Sequence, residues 1–74
     1  MDIHNLIKMA NQIGEFFESM PDREQATKDI ASHLRRFWDP RMRKAILQSV
    51  DDGQAEGLHQ IVRDAIESNR QMLA

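Results

Sequence analysis

Two pairs of side chains in this sequence have spacings that could do chemistry. Glu56-x-x-His59 has the Glu-x-x-His step found in carboxylate-bridged di-iron bundles. Such a centre needs two of these pairs and two further glutamates on facing helices. The sequence has one pair, in a glycine-containing stretch rather than on a helical stripe, so the reading is a solvated loop pair and not a metal site. Asp29 and His33 stand four residues apart, the spacing of a helical ion pair worth a few tenths of a kcal/mol. A catalytic dyad would also need a nucleophile and a cleft, and none is evident. Gly14, Gly53 and Gly57 are isolated, so no phosphate-cradling loop exists. Serines 19, 32, 49 and 68 sit in no nucleophile elbow. No catalytic, cofactor-binding or metal-binding residue is therefore assigned, and the chain is expected not to be an enzyme by itself.

The third candidate is a patch. "HLRRFWDPRMRKAI", residues 33–46, places Phe37 and Trp38 among arginines. From His33 to Lys44 there are five basic residues (Arg35, Arg36, Arg41, Arg43, Lys44) and one acid, Asp39. The remainder of the chain holds five of its ten bases and eleven of its twelve acids. Three readings compete. The rings could be core at a helix corner, with Phe37 the firmer case. The basic run 35–44 could be a small helical nucleic-acid-binding module. A recognition helix should present polar and basic groups along one exposed face, whereas the acidic remainder would repel phosphate. The patch could instead dock another protein, since Arg and Trp dominate interface hot spots. Phe16, Met9, Met20 and Leu47 lie beside their helical stripes and would leave apolar surface on a monomer.

The elements that must position these groups are all helical. Ile3, Leu6, Ile7, Ala10, Ile13, Gly14 and Phe17 follow the i, i+3, i+4, i+7 spacing of one amphipathic face. Lys8, Asn11, Gln12, Glu15, Glu18 and Ser19 take the opposite face. Gly14, on the apolar side, would let another helix approach closely. Pro21 ends this helix. Asp22 starts the next, with Gln25 where a capping box wants it, and Ala26, Ile30, Leu34 and Phe37 make its stripe, with Trp38 at the edge. Asp39-Pro40 is an N-cap followed by proline at the first helical position. The third helix carries Met42, Ala45, Ile46 and Val50 on one face. Asp51 and Asp52 close it, although acids at a C-terminus oppose the helix dipole. After a loop at 53–57, Leu58, Ile61, Val62, Ala65, Ile66, Asn69 and Leu73 share one side. The expected fold is all-α, a small compact bundle of four short helices at roughly 3–20, 23–37, 40–50 and 58–72, with roughly antiparallel neighbours. Residues 1–74 form a single helical domain without linkers.

A chain of 74 residues buries only about 60% of its extended surface on folding. With no cysteine it has neither disulfides nor thiolates for zinc or iron–sulfur clusters. An efficient helical core or a partner must supply the missing stability. No signal peptide and no apolar run of membrane-spanning length is present. The expectation is a soluble, cytoplasmic protein.

The run "IKMANQIGEFFESMPDREQATKDIASHLRRFWDPRMRKAI", residues 7–46, resembles the delta subunit of cytosolic NAD-dependent formate dehydrogenases. The pieces that carry the likeness are "MANQIGEFF", "MPD" and above all "HLRRFWDPRMR". The resemblance implies a non-catalytic accessory subunit that docks on the large alpha subunit and stabilises the assembled or cofactor-loaded enzyme. Other subunits would carry the cofactors: bis-molybdopterin guanine dinucleotide with molybdenum or tungsten, iron–sulfur clusters, FMN and NAD. On this reading Arg35, Arg36, Trp38, Arg41 and Arg43 form the partner-binding patch. The arginines would meet carboxylates of the large subunit and Trp38 would fill a pocket on it, while Asp39 and Pro40 fix the angle between helices two and three. Trp38→Ala would then weaken binding and leave the isolated chain helical. No membrane and no nucleic acid is expected as partner. A homodimer through the same patch is a third state open to the isolated chain.

Overall fold

The computed structural model describes residues 2–74. Five helices follow in order: α1 Ile3–Phe17, α2 Arg23–Phe37, α3 Pro40–Asp51, α4 Gln60–Ser68 and α5 Arg70–Leu73. The all-α expectation holds, with the fourth helix divided in two. Among the described residues no helix is long and apolar enough to cross a membrane.

The first three helices are each capped by an aspartate, whereas α4 and α5 start without a side-chain cap. The Asp2 carboxylate accepts from the His4 N–H, Asp22 from the Gln25 N–H and Asp39 from the Met42 N–H. Each satisfies one donor that lacks an intrahelical acceptor. Only half of the capping box at Asp22 forms, because the Gln25 side chain donates forward to Asp29 Oδ1 at 2.9 Å. α1 ends at Phe17 and not at Met20. The backbone is already turning at residues 18–20, since the residue before Pro21 is driven out of the helical region.

The acids at the end of α3 are accommodated by two devices. Gly53, with φ of +70°, lets its own N–H reach the Val50 carbonyl and the Gln54 N–H reach the Ser49 carbonyl. That pair of bonds is the glycine-terminated helix end that satisfies orphan carbonyls. Arg70 forms an ion pair with Asp51.

α4 begins at Gln60 because Leu58 and His59 belong to the loop. Leu58 is buried there, and Asn11 holds the segment in place. Asn11 Nδ2 donates to the Gly57 carbonyl at 2.8 Å, and Asn11 Oδ1 accepts the His59 N–H at 2.8 Å. Asn11, expected on the solvent face of α1, is thus the clamp on the loop. At Asn69 the backbone leaves helical geometry (φ −124°, ψ 36°), and the Asn69 side chain donates to the Ala65 carbonyl. The bend turns Leu73 fully into the core.

α2 is central, packing on α1, α4 and α5, while α3 closes the assembly against α1 and α5. Ala26, Ile30 and Leu34 of α2 meet Ile46 of α3, Val62, Ala65 and Ile66 of α4, and Leu73 in one core. The Phe17 ring lies 6.4 Å from that of His33. In an antiparallel hairpin with so short a turn, Phe17 would instead face the start of α2. The two helices therefore cross. α1 packs closely on α4 at Gly14, where an added Cβ would stand 2.4 Å from Val62 Cγ2.

Gly14→Ala would gain about 1 kcal/mol of helix propensity against an overpacking cost of about 1–3 kcal/mol. Urea unfolding should therefore show a net loss of about 1 kcal/mol. In a Val62→Ala background the same substitution should become stabilising, a sign reversal that double-mutant analysis reads directly. A second prediction concerns Asp64. A hydrogen bond from Gln60, then one from Arg23 at 3.1 Å, hold its carboxyl below the usual aspartate range. A folded-state value lowered in this way stabilises the fold fully above pH of about 4, and that contribution disappears as pH falls through the lowered value. The site is over a third exposed, so the effect, discounted for solvent screening, is a few tenths of a kcal/mol. Asp64→Asn should lower stability at pH 7 by that amount, and the difference from wild type should shrink as pH falls through the lowered folded-state value, measured by thermal unfolding.

Candidate docking surface

The exit of α2 determines which groups of the basic aromatic stretch face outward. Trp38 is the C-cap of α2. Its N–H still donates to the Leu34 carbonyl, but its own backbone is extended (φ −91°, ψ 140°). Helical periodicity stops at Phe37, and the extended residue swings its side chain to the other side. The Trp38 ring is only 6% exposed and belongs to the core. Phe37, the last helical residue, is 68% exposed. This reverses the sequence expectation: Trp38 was expected to fill a partner's pocket and Phe37 to be core. Phe37 does lie in angular register with Ile30 and Leu34, but at the end of α2 no element extends far enough to cover it.

The arginines divide likewise. Arg43 is buried, and its Nη1 donates to the Arg35 carbonyl at 2.9 Å. It places a positive charge at the C-terminal end of α2, where the dipole favours one. Its Nε is buried without a hydrogen-bond partner. Arg35 is exposed, but its Nη1 donates to the Met72 carbonyl in the last turn of α5 at 3.2 Å. Arg36 and Arg41 are exposed. The ion pairs among the described residues are Arg23–Asp64, Lys28–Glu24, Arg70–Asp51 and, when the imidazole is protonated, His59–Glu15. Arg36 and Arg41 take part in none of them. Of the five residues assigned to the patch, Arg36 and Arg41 present free charge, Arg35 is engaged within the chain, and Trp38 and Arg43 are interior.

A row of rings beside this corner was not assembled from the sequence. Phe16 is 77% exposed and meets Phe17 edge-on, with centroids 5.0 Å apart. Phe17 leads to His33, and His33 to Phe37 at 4.6 Å with the rings tilted by 40°. The Arg36 guanidinium carbon lies 5.9 Å from the centre of the Phe37 ring. One signal was legible: Phe16 falls beside the α1 stripe and was expected to leave apolar surface. Met9, Met20 and Leu47, expected to do the same, pack partly against the core.

The residues weighed for catalysis separate. His59 Nδ1 stands 3.9 Å from Glu15, not paired with Glu56. Asp29 accepts from Gln25, and His33 stacks in the aromatic row.

The two adjacent aromatics make opposite predictions. Trp38→Ala should cost about 3–5 kcal/mol, a large part of the total stability of a small domain, and lower the thermal midpoint sharply. Phe37→Ala should change stability by no more than about 0.5 kcal/mol. Comparable losses for the two would contradict the assignment of interior and exterior.

No curated protein and no solved structure matches the chain significantly. A protein-family model, by contrast, matches residues 5–66, from the first turn of α1 to the last turn of α4, and so takes in the whole corner and the aromatic row. The chain therefore belongs to the NADH-dependent formate dehydrogenase delta subunit family, FdsD.

Proposed function

We propose that this chain is a non-catalytic accessory subunit that docks on the large catalytic subunit of formate dehydrogenase and stabilises the assembled, cofactor-loaded enzyme. Family membership supports the complex, and the observation that carries the docking is the outward pair Arg36 and Arg41, free of intrachain carboxylates. The large subunit would hold the bis-molybdopterin guanine dinucleotide centre that oxidises formate. The iron–sulfur clusters, FMN and NAD would sit on other subunits. Without cysteine, this chain has no thiolate to offer a cluster. Its contribution is mechanical: surface buried on the large subunit favours the assembled state by mass action.

The test is co-expression of the whole enzyme with an affinity tag on this chain. The tagged wild-type chain should retain the large subunit through washing. Leaving the chain out should shorten the half-life of formate-oxidising activity on warming. Arg36→Glu with Arg41→Glu should weaken retention several-fold and flatten its dependence on salt, as loss of interface charge does. Wild-type chain that elutes without the large subunit would end this reading.

A further inference from the structure

Of the three large apolar side chains exposed among the described residues, Met72 is the least open, and the other two require an explanation that the fold does not supply. Phe16 and Phe37 come from different helices, and Phe17 and His33 join them into one continuous surface. Beside it lies a recess of about 180 Å³ bounded by Phe17, Asp29, Ser32, His33, Arg36 and Phe37. The charges around it are unequally available. Asp29 accepts from Gln25 and Asp39 caps α3; both keep their negative charge, and neither forms an ion pair with Arg36. Arg36 has no carboxylate, and its guanidinium lies against the Phe37 ring at cation–π distance. The surface therefore offers stacked rings and one uncommitted cation side by side.

We propose that this aromatic row is the centre of the docking face, and that its occupant is an apolar segment of the large subunit carrying a carboxylate next to the side chain it inserts. The apolar side chain rests on the rings, beside the recess with its polar Asp29, Ser32, His33 and Arg36 lining, and the carboxylate pairs with Arg36 across the Phe37 edge. This rests on the accessory-subunit reading and gives that reading a specific surface. A standard interface takes about 800 Å² from each partner, roughly a sixth of the 4696 Å² this chain exposes. The rings are then the water-free centre and Arg36 part of the charged rim, the arrangement typical of hot spots. Trp38, the sequence's first candidate for the anchor, takes no part because it is interior.

The experiment uses the co-expressed enzyme with this chain tagged, comparing wild type, a Phe16→Ser and Phe37→Ser double variant, and Arg36→Gln. Both residues of the double variant are exposed, so its helicity and thermal midpoint in isolation should match wild type. Its retention of the large subunit should fall by roughly tenfold or more, the loss expected of hot-spot anchors. Arg36→Gln should lose less, and its remaining retention should vary less with salt. If the wild-type chain retains the large subunit and the double variant does so equally well, the aromatic row is not the seat and the accessory-subunit reading stands. If the wild-type chain retains nothing, that reading fails and this proposal with it. If the isolated chain sediments as a dimer that the double substitution converts to monomer, with large-subunit retention unchanged, the occupant is a second copy and the proposal is overturned.

Discussion

The turn from α2 into α3 sets the character of this molecule. Between Leu34 and Arg43 several of the polar backbone groups left over by the end of one helix and the start of the next find specific partners. Trp38 keeps its N–H on the Leu34 carbonyl while its extended backbone carries the indole inward. Asp39 caps α3, and Pro40, with no N–H to satisfy, occupies the first helical position. Arg43 then reaches back from α3 to the Arg35 carbonyl. Such a turn has one consequence for the surface. Residues on either side of a helix-to-extended transition point in different directions, so sealing Trp38 inside leaves Phe37 outside.

The remainder of the fold supports this corner with few resources. The chain has no covalent crosslink, and close packing has to compensate. Gly14 brings α1 against Val62 by giving up a side chain, and Asn11 ties the 57–59 segment to α1 with two bonds from a single amide. Both residues exchange local preference for tertiary contact. Glycine is a poor helix former and asparagine little better, yet each stands inside α1 where a neighbouring element needs its particular shape or donor set. The bend at Asn69 follows the same logic at the other end, interrupting a helix so that Leu73 can finish the core.

These features explain which parts of the structure were legible in the sequence. Helix identity was legible because burial along α1, α2 and α4 repeats with the helical period, and the starts at Asp22 and Asp39 were legible because capping is a local interaction between residues two or three apart. The orientation of Phe37 and Trp38 was not, because periodicity extrapolates a helix past the point where it stops. Asn11 was assigned to solvent for a similar reason: its partners, Gly57 and His59, are distant in sequence and its angular position on α1 is polar. The aromatic row was illegible as a unit, since it exists only where the end of α1 crosses the second half of α2. A crossing angle depends on how side chains interlock, and no single helix encodes it.

Charge counting along the sequence overstated how cationic the corner is. Arg35 and Arg43 direct their guanidinium groups at carbonyls in the last turns of α5 and α2, where positive charge offsets the helix dipoles. Arg43 is thereby withdrawn from the surface, while Arg35 stays exposed with its guanidinium tethered. What an approaching molecule meets is Arg35, Arg36, Arg41 and Lys44, with exposed Glu15 and Glu18 at the far end of the aromatic row beside Phe16. A polyphosphate backbone gains affinity from many neutralised charges in series, and this surface offers few of them, next to opposing charge. A folded protein surface, which can place one carboxylate opposite one guanidinium and an apolar side chain opposite a ring, makes better use of so few groups. The same two arginines, one withdrawn and one tethered, also fix the corner that holds Phe37 and Arg36 in place, so the loss of general attraction to anions and the gain of a shaped surface arise from one arrangement.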